Sequence, residues 1–146
     1  MRGQYGQVMA FIAVALAIVV MPVAAYAVDA AAVSGAAAAL EEATATAALE
    51  ASQQLDIVDF RMAGALAVDP TEARQVAQAV LSAGAPAATI MSITVVGAEV
   101  TIESSEEVQL PFDFFPERTV RLGSRASARL AGGYDNPGIA PPTSTP

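Results

Sequence analysis

Three arginines stand four residues apart at Arg121, Arg125 and Arg129, within a stretch (TVRLGSRASARL) where apolar and polar residues alternate. On a β-strand that spacing puts all three guanidinium groups on one face, with Val120, Leu122, Ala126, Ala128 and Leu130 on the other. Glu99 and Glu103 have the same spacing, and Glu106 and Glu107 lie nearby. The chemistry open to this set is cross-strand ion pairing, docking to an acidic partner, or capture of an anion such as a lipid headgroup. Pairing within the sheet is the simplest of the three, each pair adding roughly 0.2–1 kcal/mol.

Phe112, Phe114 and Phe115, between Pro111 and Pro116, form the densest aromatic cluster in a chain that is only 5% aromatic. Such a cluster either plugs one end of a small core or, left exposed, makes contacts for the head, since aromatic residues are enriched at interface hot spots. The adjacent acids Glu41-Glu42 and Glu106-Glu107 diverge on a helix or strand, so neither pair converges on a substrate for acid–base work. The chain has no histidine and no cysteine. Nucleophilic catalysis would need an unusual Ser/Arg or Ser/carboxylate site, and the best zinc and haem ligands are missing, which leaves only carboxylate sites for calcium or magnesium. No GxSxG, HExxH, P-loop or GxGxxG pattern occurs. No catalytic residue, cofactor or metal site is expected. The net charge of −8, with arginine as the only basic residue type, excludes nucleic acid as a natural partner.

The elements that must position these residues begin with an uncharged run. Residues 8–28 carry no charged side chain, Arg2 precedes them, and Asp29 is the first charge after them. About 20 such residues cross a bilayer core as a helix. Val8, Phe11, Ile12, Leu16, Ile18 and Val19 would face lipid. The basic residue on one side and acids on the other orient the helix with its N-terminus inside and the rest of the chain outside. Two readings of residues 1–28 stay open. One is a retained anchor, favoured by the Ala-rich helical pattern that continues past Asp29. The other is a signal peptide cut after Ala27, favoured by Ala25-Tyr26-Ala27 and the preceding Pro22. The second reading would release a secreted or periplasmic binding module starting at Val28.

From Ala30 to Leu55 alanine dominates, and only Gly35 counts against a helix. Joined to the apolar run this makes one rod of about 50 residues, near 75 Å long. Ala31, Gly35 and Ala39 stand four apart, a small-xxx-small spacing that lets a second helix come close; the plainer alternative is a thin helix lying on its own domain. Asp56 to Val68 has mixed periodicity and reads as a helix end or a first strand. Asp69-Pro70-Thr71-Glu72 has the form of a capping box, opening a helix with Ala73, Val76, Ala77, Val80 and Leu81 on one stripe and ending at Gly84 and Pro86. Beyond Pro86 the period falls to two. Residues 88–96 and 99–103 predict a hairpin across Gly97-Ala98, with Val100 and Ile102 facing in, and residues 108–112 continue or re-form the second strand. The Gly/Pro/Thr-rich tail reads as disordered.

The order of these parts is an RGQ start (Arg2, Gly3, Gln4), an apolar helix, the VDAAAVSGAAAALEEATATAALEASQQLD stretch, a DPTEA helix, a VTIESSEEVQLPF strand and a TVRLGSRASARL strand. Over residues 2–131 it resembles the TadE/TadG-like proteins of tight-adherence (Flp-type) pilus systems, which are pilus-assembly components or minor pseudopilins with one N-terminal membrane helix. The resemblance implies single-pass anchoring in the cytoplasmic membrane, a head at the cell surface or pilus, and packing against other pilin-like or pilus-assembly proteins or against copies of itself. One position departs from pilin-type leaders. With Gly3 or Gly6 as the cleavage glycine, Val8 or Phe11 stands where a glutamate belongs, which argues against prepilin-peptidase processing.

The expected fold is α+β: a membrane helix over 1–28, a helical extension over 29–59, a head over 60–131 with one helix and an antiparallel sheet of three to four strands, and a tail over 132–146.

Overall fold

The computed structural model describes residues 4–112 and 119–130. It is an α+β fold built on one long helix, α1 (Gln4–Ser52), of 49 residues and about 73 Å. Alanine, the best helix former, carries the helix across Gly35. The helix also runs through Pro22, whose missing N–H leaves the Ile18 carbonyl without its usual intrahelical donor. It stops at Ser52, short of the expected residue 59. The last turn tightens, with the Gln53 and Gln54 amides donating to the Glu50 and Ala51 carbonyls. The chain then leaves to form an isolated bridge between Leu55 and Val68.

The loop of that bridge holds a helix that periodicity left ambiguous, α2 (Ile57–Ala63), so the head has two helices rather than one. Local chemistry makes it. The Asp56 carboxylate accepts from the Val58 and Asp59 amides, and Gly64, at φ +65°, supplies the left-handed residue that closes it. Helix α3 (Pro70–Gly84) opens as the sequence predicts at its cap, the Asp69 carboxylate accepting from the Thr71 and Glu72 amides. The reciprocal half of the capping box is replaced, because the Asp69 amide donates to the Gln54 carbonyl at 2.8 Å and so ties α3 to the end of α1.

Three strands follow: β1 (Thr89–Val96), β2 (Glu99–Gln109) and β3 (Thr119–Arg129), in an antiparallel meander with β2 central. The β1–β2 turn is Gly97-Ala98, with Gly97 at φ +58°. A register shift between Ile90 and Ser92 makes Met91 an extra, exposed residue. Strand β2 is continuous through Val108 and ends before Phe112.

One sheet face covers α1 and α3. Val100 and Ile102 are fully buried as expected, together with Leu40, Ala43, Ala47, Ala48 and Ala51 of α1 and Ala73, Ala77 and Leu81 of α3. Ile90, Ile93, Val95, Leu122, Ala126 and Ala128 pack around them. Most of these buried side chains are alanine, so the elements approach closely instead of interlocking large groups. A buried polar pair also crosses the layers. Thr44 donates its one hydroxyl proton to the Leu40 carbonyl, so the Ser104 hydroxyl, 2.6 Å away on β2, donates to Thr44 Oγ1.

The tightest approach is at the end of α3, where a Cβ on Gly84 would lie 2.9 Å from Ala43 Cβ and 3.5 Å from its Cα. Neither group is the far end of a flexible side chain. Gly84→Ala should therefore cost about 1–3 kcal/mol by overpacking, against a helix-propensity gain of at most about 1 kcal/mol. The expected result is a lower thermal midpoint for the full chain in detergent, partly restored when Ala43→Gly is added; an unchanged or raised midpoint would show that the two helices separate freely.

Candidate functional site

The surfaces available for function are set by how α1 turns along its length. From Val8 to Met21 every residue is exposed, including Val8, Phe11, Ile12, Leu16, Ile18 and Val19. Helix α1 is long and apolar enough to cross a membrane, and none of its most apolar stretch is buried by the head. From Ala25 onward one stripe is covered: Ala25 and Asp29 first, then Leu40, Ala43, Thr44, Ala47, Ala48, Ala51 and Ser52. Ala31, Gly35 and Ala39 lie off that stripe, all three exposed, and a Cβ on Gly35 would have nothing within 4 Å. The head therefore lies on α1, as the plainer reading has it, but leaves the small-residue positions uncovered. Ala39 borders a groove of about 460 Å³ shared with Glu42 and Thr46 of α1 and Val80 and Ala83 of α3.

The arginines project from the sheet face opposite the core. The β2–β3 register sets Arg121 opposite Glu107, Arg125 opposite Glu103 and Arg129 opposite Glu99. Arg121 donates to Glu107 at 2.7 Å, and Arg125 lies 3.3 Å from Glu103, whose other oxygen accepts from Ser92. All four side chains of these two pairs are well exposed. The ladder is thus met by acids of its own sheet, which lowers its capacity to hold an external anion.

Phe112 does not plug the core. It is exposed at 46% and borders an apolar groove of about 380 Å³ against Met21, Pro22, Ala24, Ala25 and Val28 of α1. Phe114 and Phe115 lie outside the described residues, as do Arg2, Gly3 and the tail. The Phe112 amide donates to Asp29 Oδ1 at 3.0 Å. Asp29 is 1% exposed, and its Oδ2 has no hydrogen-bond partner among the described residues. Sequence reasoning marked Asp29 only as the first charge after the apolar run. Its burial depends on a partner 83 residues away, and no local spacing signals that.

Comparison with family models, with curated proteins and with solved structures finds no match to this chain.

Because the ladder pairs are exposed, Arg125→Gln should lower stability by less than about 1 kcal/mol, with the difference fading in high salt. Chemical denaturation of the full chain in detergent at low and high salt measures this. A larger, salt-independent loss would mean that Arg125 has a desolvated partner.

Proposed function

We propose that this is a membrane-anchored structural protein of the TadE/TadG kind, a pilus-assembly component or minor pseudopilin-like subunit that acts by helix packing and head contacts. The observation that carries the reading is the division of labour along α1. An exposed apolar segment of spanning length runs without interruption into an alanine-rich segment whose head covers one side and leaves Ala31, Gly35 and Ala39 open. Small residues at that spacing allow the close van der Waals approach by which helices associate at and within membranes. Lipid and other pilin-like rods, including copies of this chain, are the partners this surface suits. Arg2 before the apolar run favours an inside N-terminus and an outside head.

The alternative, a secreted or periplasmic binding module released after Ala27, draws support from the Ala25-Tyr26-Ala27 sequence. Cleavage there would remove Met21, Pro22, Ala24 and Ala25, and so most of the wall of the Phe112 groove. That cost favours retention.

Gly35→Leu separates packing from folding. Gly35 is exposed and a Cβ there has nothing within 4 Å, and leucine is the better helix former. The variant should keep its head folded and stay in the membrane fraction while losing the cross-linked assemblies expected of the native chain in its own membranes. Unchanged cross-linking would sink the packing role. The N-terminal residue of the native protein decides between the two readings: a start upstream of Val8 in the membrane fraction supports the anchor, and a start at Val28 in the soluble fraction supports the released module.

A further inference from the structure

We propose that residues 110–112, just after β2, are a second membrane contact, in which Phe112 and its groove on α1 take up the hydrocarbon boundary of the leaflet nearer the head and Asp29 fixes the depth of Phe112. The proposal rests on α1 being a membrane anchor.

Chain geometry sets the level. A bilayer core of about 30 Å takes up about 20 helical residues. Counted from Val8, where the apolar run begins, the core ends near Val28, one residue before Asp29. Phe112 borders Met21, Pro22, Ala24, Ala25 and Val28, the last two turns of that run. It is therefore level with the end of the span and not with the core of the head. Tyr26, itself 56% exposed, lies at the same height on α1. Aromatic rings from two separate segments thus meet the level at which membrane proteins concentrate them.

The length of the sheet explains why the segment arrives there. The 11 residues of β2 cover about 36 Å, and α1 from Asp29 to Ser52 covers about 35 Å. The Gly97 end of the sheet is tied to the region just after α1, where the Val68 amide donates to the Gly97 carbonyl. The opposite end of β2 then falls beside Asp29.

Hydrogen bonding supplies the remaining argument. Where water is scarce, a backbone N–H without an acceptor is costly, and non-helical backbone is tolerated only where it is satisfied by the protein. The Phe112 amide is satisfied by a buried carboxylate oxygen of α1 at 3.0 Å. That contact lets non-helical chain sit against the helix at the hydrocarbon edge. The groove beside it is lined by apolar side chains alone, which suits acyl-chain carbons.

The chain contains no tryptophan, so a single introduced one is a unique fluorescent probe. Full-length Phe112→Trp, Phe11→Trp and Val96→Trp proteins would be reconstituted in phosphatidylcholine vesicles with bromine atoms placed either near the headgroups or near the chain ends. Val96, at the far turn of the sheet, is 70% exposed and serves as the solvent reference. Phe11→Trp, three residues inside the opposite edge of the core, and Phe112→Trp should both lose fluorescence to shallow bromines more than to deep ones, and Val96→Trp to neither. Adding Asp29→Ala to Phe112→Trp should abolish the shallow quenching with circular dichroism unchanged, while Asp29→Asn, which keeps an acceptor oxygen, should preserve it. If Phe11→Trp is quenched and Phe112→Trp emits as in water, the anchor stands and this proposal falls. If Phe112→Trp emission is blue-shifted yet no bromine position quenches it, protein rather than lipid covers the groove, and the proposal also falls. If Phe11→Trp is unquenched, the anchor reading itself fails.

Discussion

Everything in the head depends on how closely other elements can approach one alanine-lined face of α1. Ala43, Ala47, Ala48 and Ala51 present only a methyl group each, so α3 and the central strand can lie close against the helix. Each alanine buries little apolar area, and at roughly 25 cal/mol per Å² such a core contributes less than one built from leucine and phenylalanine. The compensation is density, since dispersion rises with the number of atoms at contact distance. Gly84 is part of the same arrangement, occupying a place on α3 where even a methyl group would meet Ala43. The buried Thr44–Ser104 pair fits this scheme too, because two short hydroxyl side chains can meet only when a strand and a helix lie very near each other.

A thin head draped along a long rod has two ends, and they differ. At the far end lie α2 and the β1–β2 turn, joined to the region after Ser52 through the Val68–Gly97, Asp69–Gln54 and Asp56–Ala67 backbone bonds. Helix α2 buries none of its residues and exposes Ile57, Val58, Phe60 and Met62. At the near end, the chain beyond β2 meets α1 where the apolar run finishes. The open sheet face between them is polar, with Glu103–Arg125 and Glu107–Arg121 pairs that leave neither sign in excess along those rungs. Among the described residues, exposed large apolar side chains therefore lie mostly along the apolar run of α1 and at the two ends of the head, and the paired sheet face between them is water-compatible.

How legible this was depended on whether local chemistry or alanine carried the signal. Period-two alternation located β2 and β3 and assigned Val100, Ile102 and the arginines to their faces, because a strand's side chains have only two directions available. Asp69-Pro70 marked the start of α3 through a cap that forms within three residues. Helix α2 was ambiguous because Ile57, Val58, Phe60 and Met62 give no clean stripe. The Asp56 cap and the left-handed Gly64 make the helix, not burial. In α1 the rod was readable but its orientation was not. Alanine suits a core and a surface equally well, so a run of it carries no moment that says which side the head will cover. That is why the exposure of Ala31, Gly35 and Ala39 had to come from the structure, as did the replacement of Glu72 by Gln54 as partner of the Asp69 amide.

Asp29 is where the two halves of the molecule meet, and its chemistry links them. It is the first charge after the uncharged run, so it defines where α1 stops being compatible with hydrocarbon. It is also the acceptor for the Phe112 amide, so it defines how far the sheet extends along α1. A carboxylate buried with one oxygen bonded and the other without a partner among the described residues is costly, and a position that needed only an acceptor could use a less demanding side chain. One residue performing both tasks couples them. The end of the apolar run and the position of the head cannot shift relative to each other by a helical turn without breaking the Phe112–Asp29 bond that ties the chain just after β2 to α1. The rod therefore presents its head at a fixed height above its apolar segment, which is the property a subunit needs if neighbouring copies are to pack side by side with their spans and their heads aligned.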